Sequence, residues 1–188
     1  METLLTIQIP TYRNPRQLLD CLRSLYIHTD FPYFVRVINN DGTKDGKDII
    51  NGLVSAFPSD RMEVVHAGAN LGWMGAHNLV LPRCDTPYVC LLNDDVVFLP
   101  FRNDFWRSMT RYFQSPKVAA AGPCSNFVMG SQNLWNIGNP LVYKTSLLIG
   151  FCMLLRTSAL REVGGLDESL PGGDDLDLSI RLIDAGYD

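Results

Sequence analysis

The chain has neither of the glycine-rich signatures that cradle phosphates. No G-x-G-x-x-G follows its first apolar run, and G-x-x-x-x-G-K-[ST] occurs nowhere, which disfavours a dinucleotide oxidoreductase and a P-loop enzyme. Paired cysteines are missing too. Cys21, Cys84, Cys90, Cys124 and Cys152 are odd in number and widely spaced, without a Cys-x-x-Cys. That pattern fits neither a zinc site nor a disulfide scaffold and reads as reduced, mostly buried thiols in a cytoplasmic protein. Basic charge is in deficit: at a net −4 the chain offers no field for a phosphate backbone, so nucleic acid is not an expected partner. Long hydrophobic runs are absent as well. METLLTIQIP has no basic flank ahead of an extended apolar region, so no signal peptide is read there. The longest apolar run, Leu147 to Leu155, falls far below the ~20 residues of a membrane-spanning helix.

What is present is the material of a core. With 188 residues, 46% hydrophobic and 19% charged, the composition is that of one globular domain over residues 1–188. Its organising stretch is VCLLNDDVVF, Val89 to Phe98: an apolar, β-branched run of the kind that forms a strand buried on both faces. It halts at two adjacent carboxylates, Asp94 and Asp95. Like charges side by side repel unless a cation or hydrogen bonds hold them, and a hard divalent metal is the matching partner. The other reading is an acidic turn facing water.

Strands and helices alternate around this stretch. Leu4 to Pro10 reads as a strand ended by proline, and Asn14 before Pro15 as the cap of a helix carrying Leu18, Leu22, Leu25 and Tyr26. Phe34 to Asn39 is a second strand, Asn40 to Gly46 a loop of turn formers, Ile49 to Phe57 a second helical pattern, and Met62 to His66 a third strand. AGANLG leads to a short helix in WMGAHNLVL, FWRSMTRYF has helical spacing, and KVAAAGP is a short strand. Cys124 to Lys144 reads as loop with room for a ribbon; LLIGFCMLLR is a last strand, followed by helices in SALREVGG and DDLDLSIRLIDAG. This order predicts an α/β fold with a mostly parallel central sheet flanked by helices. PTYRN, NNDGTKDG and LNDDV all fall at strand carboxyl ends, where open sheets of this kind bind ligands. In the first turn, Thr11 and Tyr12 offer a hydroxyl and an aromatic face for a base, and Arg13 a partner for phosphate; alone, the segment would read as an ordinary proline turn.

Five segments occur in one order: IPTYRNPRQLLDCLRSL, VINNDGTKDG, ANLGWMGAHN, LLNDDVVF and the stretch from GFCMLLRTSALREVGG to GGDDLDLSIRLIDAGYD. Together they resemble glycosyltransferase family 2, the inverting sugar-nucleotide transferases of the GT-A fold. The resemblance is greatest to rhamnosyltransferase-like members, with their N-L-G-aromatic, L-N-x-D and E-D-x-D-L segments, and it covers nearly the whole chain. It implies a nucleotide-contacting turn at Pro10, Thr11, Tyr12 and Arg13. It places Asn40 and Asp41 at the base, with Asp41 taking a pyrimidine imide N–H, and Asn70, Gly72 and Trp73 near the donor. Trp73 reads equally as a core or lid aromatic, and His77 and Asn78 read as structural. Asn93-Asp94-Asp95 occupies the place of the D-x-D motif with Asn first. This implies Asp95 as main ligand of Mn²⁺ or Mg²⁺ with Asp94 beside it, and Asn93 and Asp94 among the donor-binding residues. Asp175 matches the general base. Asp174 reads as a second site carboxylate or a helix cap, Asp177 as a cap paired with Arg181 in a surface contact. Gly150, Phe151 and Cys152 match an acceptor-side strand, and for the last two plain core is the default.

The implied partners are a UDP- or dTDP-linked sugar, rhamnose being the best single guess, and a glycan or other hydroxyl acceptor. The implied location is cytoplasmic, with a membrane reached only through the acceptor. Relatives usually continue past A-G-Y-D, so the resemblance implies a catalytic domain without that extension. A non-catalytic or truncated nucleotide-sugar-binding module is the alternative, kept open by Asn93. A nucleotidyltransferase is disfavoured, since its glycine-rich, arginine-containing first loop is missing.

Overall fold

Apolar runs of a few residues, bounded by turn formers, become strands here because helices cover both of their faces. The computed structural model describes residues 2–100, 104–125, 128, 132, 133 and 144–188. Its strands are β1 (Leu5–Thr11), β2 (Tyr33–Asn39), β3 (Met62–His66), β4 (Tyr88–Leu92), β5 (Ala120–Ala121) and β6 (Cys152–Arg156). They form a six-stranded sheet in the order β3-β2-β1-β4-β6-β5. β1 to β4 run parallel, while β6 is antiparallel to both β4 and β5. The chain builds outward from β1 through β2 to β3, then returns to the other flank of β1 as β4. The switch point of the sheet therefore lies between the carboxyl ends of β1 and β4.

The helices are α1 (Pro15–Ile27), α2 (Lys44–Val54), α3 (Gly72–Val80), α4 (Phe105–Thr110), α5 (Thr157–Glu162) and α6 (Asp174–Asp184). On one face, Ile7, Ile9, Cys90 and Leu92 pack with Leu18 and Leu22 of α1, Ile50 of α2 and Trp106 of α4. On the other, Val89, Leu91, Met153 and Leu155 pack with Leu160 of α5 and Leu178 and Leu182 of α6. Alternate residues of β4 thus enter different cores, which is why its sequence is apolar without a break. Among the described residues no helix is long and apolar enough to cross a membrane.

Several boundaries differ from the sequence reading. β1 runs through Pro10 to Thr11, in register with Ile38 and Asn39 of β2. The Thr11 carbonyl accepts from Asn40 N on the β2 side, so Pro10 turns its missing N–H toward β4. Pairing with β4 has already ended there, at Gln8 and Leu91, and the proline costs no ladder bond. Asn14 does precede α1, but its side chain makes no capping hydrogen bond. β6 begins only at Cys152, and KVAAAGP contributes just the two residues of β5. Most of Cys124 to Lys144 lies outside the described residues; within them, Ser125 and Asn133 form an isolated bridge. Cys21, Cys84, Cys90 and Cys152 are buried and unbridged.

His77 of α3 is a core residue, 1% exposed, whose Nδ1 lies 3.0 Å from Gln8 Oε1. The amide oxygen can only accept, so the proton sits on Nδ1. Burial drives the imidazole pKa from 6.5 down to about 3. The unfolded chain therefore binds this proton first as pH falls, and stability present above pH 6.5 is lost toward pH 3. The expected slope is up to about 1.4 kcal/mol per pH unit. His77→Gln should flatten it in urea unfolding between neutral and acid pH; an unchanged slope would show that His77 titrates like a solvated histidine.

Candidate active site

At the switch point the strand ends and loops enclose a cleft of about 280 Å³. Pro10, Thr11 and Tyr12 come to it from the end of β1, Asn40 from the turn after β2, and Asn70, Gly72 and Trp73 from the entry to α3. Asn93, Asp94 and Asp95 enter from the turn after β4, and Asn14 joins them. A larger hollow, about 380 Å³, lies beside Val163, Asp167 and Arg181. Its arginine is already committed to Asp177 and to the Val163 and Gly165 carbonyls, so the smaller cleft carries the unspent chemistry.

That unspent chemistry sits at the floor. Thr11 Oγ1, Asn40 Oδ1 and Asp94 Oδ2 are all buried without a hydrogen-bond partner, each a group that costs free energy unless something fills the cleft. Burial is the largest influence on Asp94 and pushes its carboxyl pKa up; Asp95 adds repulsion, while the Thr11 hydroxyl and the Asn14 side chain pull it back down. Asn14, read from sequence only as a helix cap, is thus a site residue that sequence missed: its place before Pro15 accounted for it locally, and only the fold aims it at Asp94.

Asn40 and Asp41 divide differently from the expectation that Asp41 faces the base. Asn40 Nδ2 donates to the Gly72 carbonyl at 3.0 Å, and its Oδ1 is buried without a partner. Asp41 stands behind the wall, outside the lining residues. Its oxygens accept from Thr43 N at 2.9 Å and from Arg13 Nε at 3.2 Å, and these contacts, Thr43 first, hold its pKa low. Arg13 also lies outside the lining. It sits over the Tyr12 ring, 5.0 Å from the centroid, with a left-handed backbone, φ 59°, strained for a residue with a Cβ. Asn70 Oδ1 accepts from Gly72 N at 3.0 Å, and Gly72 takes φ 68°, so this pair shapes the entry to α3.

Trp73 joins the two halves of the site. Its Nε1 donates to Asn93 Oδ1 at 2.9 Å. Its far edge packs on Gly150, where an added Cβ would stand 3.1 Å from the ring and 3.9 Å from the Cβ of Asp175. The indole thus meets Asn93 at one edge and, through Gly150, the neighbourhood of Asp175 at the other. Asp175 is not itself a lining residue; in the first turn of α6, its Oδ1 accepts from Leu176 N. The cap of α6 is Gly173, φ 77°, so Asp174 is no cap. It is half-buried, and burial raises its pKa, with Asp175 and Asp177 adding to the effect. Asp177 pairs with Arg181, but that arginine also binds two carbonyls of the loop after α5 and is more than the surface contact expected. Asn78 uses both ends of its amide on Leu166 of the same loop.

The profile of glycosyl transferase family 2 matches residues 6–164. The chain belongs to this family. A pre-mycofactocin glycosyltransferase of Mycobacterium tuberculosis is 30% identical over 142 residues, which is 66% of this chain and 29% of that protein. The chain thus spans under a third of the curated relative's length. Among solved structures, a mannosyltransferase of Pyrobaculum calidifontis in complex with GDP-Man and Mn²⁺ superposes with TM-score 0.79 at 19% identity, covering 100% of this chain and 54% of that one. S. aureus TarS in complex with UDP gives 0.71 at 16%, covering 96% and 55%. These likenesses place the family-2 chain in the GT-A fold, with the mostly parallel sheet and flanking helices read from the sequence.

In this family-2 chain the cleft depends on a close backbone approach. A methyl group on Gly42 would overlap the Gly68 carbonyl, so Gly42→Ala should spread the loops after β2 and β3. A loss of about 1–3 kcal/mol in urea unfolding is expected; an unchanged midpoint would show that the loops part without cost.

Proposed function

We propose that the chain transfers a sugar from a nucleoside diphosphate donor to an acceptor hydroxyl, with inversion. What supports this reading is the Trp73 indole, bonded at one edge to Asn93 in the acidic turn and packed at the other on Gly150 near Asp175. Pro10, Thr11 and Tyr12 would hold the nucleoside, and Asn40 would take the acceptor role toward a base N–H that was expected of Asp41, whose oxygens are bound to Thr43 and Arg13. Uridine or thymidine diphosphate sugars are the proposed donors, of the hexosyl or rhamnosyl class; the related structures hold GDP-Man, UDP and UDP-GlcNAc. Four buried, unbridged cysteines support a cytoplasmic setting, and residues 1–188 are proposed as the catalytic unit.

Asp94 and Asp95 fit a hard divalent cation. Oδ2 of Asp94 is buried and unpartnered beside a second carboxylate, and one or two carboxylates completed by phosphate oxygens are what Mg²⁺ or Mn²⁺ takes in such sites. A cation held there would supply neutralising charge to the diphosphate leaving group. The protein's own work is positional. Thr11 and Asn40 orient the donor, Trp73 closes the floor, and Asp175 takes the proton of the acceptor hydroxyl as its oxygen attacks the anomeric carbon.

The test combines calorimetry of nucleoside diphosphates, with and without Mn²⁺, and transfer by Asp175→Asn. One pyrimidine nucleotide should bind in a metal-dependent way, and the variant should keep that binding while transfer falls about 10²–10⁴-fold. Unchanged turnover would remove Asp175 from the mechanism, and binding without any turnover in the parent chain would favour a non-catalytic module.

A further inference from the structure

We infer that Asn78, on the helix whose first turn lines the donor side, is a positioning residue for Asp175: it fixes the joint from which α6 carries that carboxylate. The inference rests on the general-base reading above. An asparagine amide has one accepting and one donating end, and both are used on a single residue of the loop after α5. Leu166 N donates to Asn78 Oδ1 at 3.0 Å, and Asn78 Nδ2 donates to the Leu166 carbonyl at 2.7 Å. This is the exchange that two paired strand residues make, with a side chain in place of one of them. Nδ2 also reaches Glu168 Oε1 at 2.8 Å, and the other Glu168 oxygen stands 3.2 Å from where a Cβ on Gly75 would be. The loop is thus laid across α3 and held there.

From the other side, α6 takes hold one residue earlier. Arg181 Nη1 donates to the Gly165 carbonyl at 2.8 Å, so Gly165 and Leu166 are gripped by different helices. The Leu166 side chain is buried and packs in one cluster with Leu178 and Leu182 of α6. Where the main chain of Leu166 is held therefore decides where α6 can seat. At its amino end α3 packs the Trp73 ring on Gly150, beside Asp175. The donor-side helix thus reaches α6 at two places, through Gly150 near the carboxylate and through Leu166. One contact fixes a distance, and the second fixes the angle of the helix. Without the second, α6 pivots about the first and takes Asp175 out of hydrogen-bond reach of the acceptor hydroxyl. Asn78 is not among the residues that line the cleft, so a bound nucleotide should not feel its loss.

The test is release of nucleoside diphosphate from UDP-GlcNAc, GDP-mannose or dTDP-rhamnose by the full chain with Mn²⁺, water being the probe acceptor. For the donor that turns over, Asn78→Ala should lower kcat about 10–10²-fold, the cost of a misplaced reacting group. Calorimetry of the nucleoside diphosphate should show unchanged affinity. In the Asp175→Asn background the same substitution should cost nothing more, because a residue that acts through a carboxylate has no effect once the carboxylate is gone. Arg181→Lys, which loosens the loop from the α6 side and leaves α3 intact, should repeat these results, and it carries the test if Asn78→Ala lacks a cooperative urea transition. Unchanged kcat, a parallel loss of nucleotide affinity, or a further loss in the Asp175→Asn background overturns the inference. Full turnover by Asp175→Asn alone, or none by the parent chain, overturns the general-base reading first and this inference with it.

Discussion

The pairing of β1 with β4 is the constraint on which the site depends. β1 has parallel partners on both flanks, β2 and β4, and the chain reaches the second only after building outward through β3. Crossover helices are thereby sent to both faces, and a gap opens where two strands end with no loop passing directly between them. Pro10 to Tyr12 and Asn93 to Asp95 enter that gap from adjacent strands. Had β4 joined the outer edge of β3, the same residues would face solvent at distant points of the sheet.

Within the gap the polar groups are left short of partners rather than overpaired. Asp94 Oδ2, Thr11 Oγ1 and Asn40 Oδ1 are each screened from water, and a buried carboxylate beside another is costly until positive charge arrives. Arg13 does not supply it, being held by Asp41.

Much of this was legible from sequence. Period-two and helical spacing place the elements because burial on one or both faces leaves that spacing, and the turns at strand ends follow from the same pattern. The role of Asn14, the passage of β1 through Pro10 and the turning away of Asp41 were not legible. Each depends on which neighbour stands across the gap, and local pattern records only what a residue does for its own helix or turn. The bond from Trp73 to Asn93 is the sharpest case. An Asn at the start of the acidic turn reads as a weakened ligand until the indole beside it shows where its oxygen is spent.

Arg181 carries a consequence for how the surroundings of α6 tolerate change. Its guanidinium grips the main-chain oxygens of Val163 and Gly165 together with Asp177 on its own helix. Carbonyl oxygens are common to every residue type, so the tether reads the path of the loop and ignores its side chains. The tilt of α6, and with it the position of Asp175, is thereby insulated from side-chain changes at Val163, whereas Gly165, at φ 78° and with a Cβ that would meet Asn78 Oδ1 at 2.7 Å, is held by the path of the loop itself.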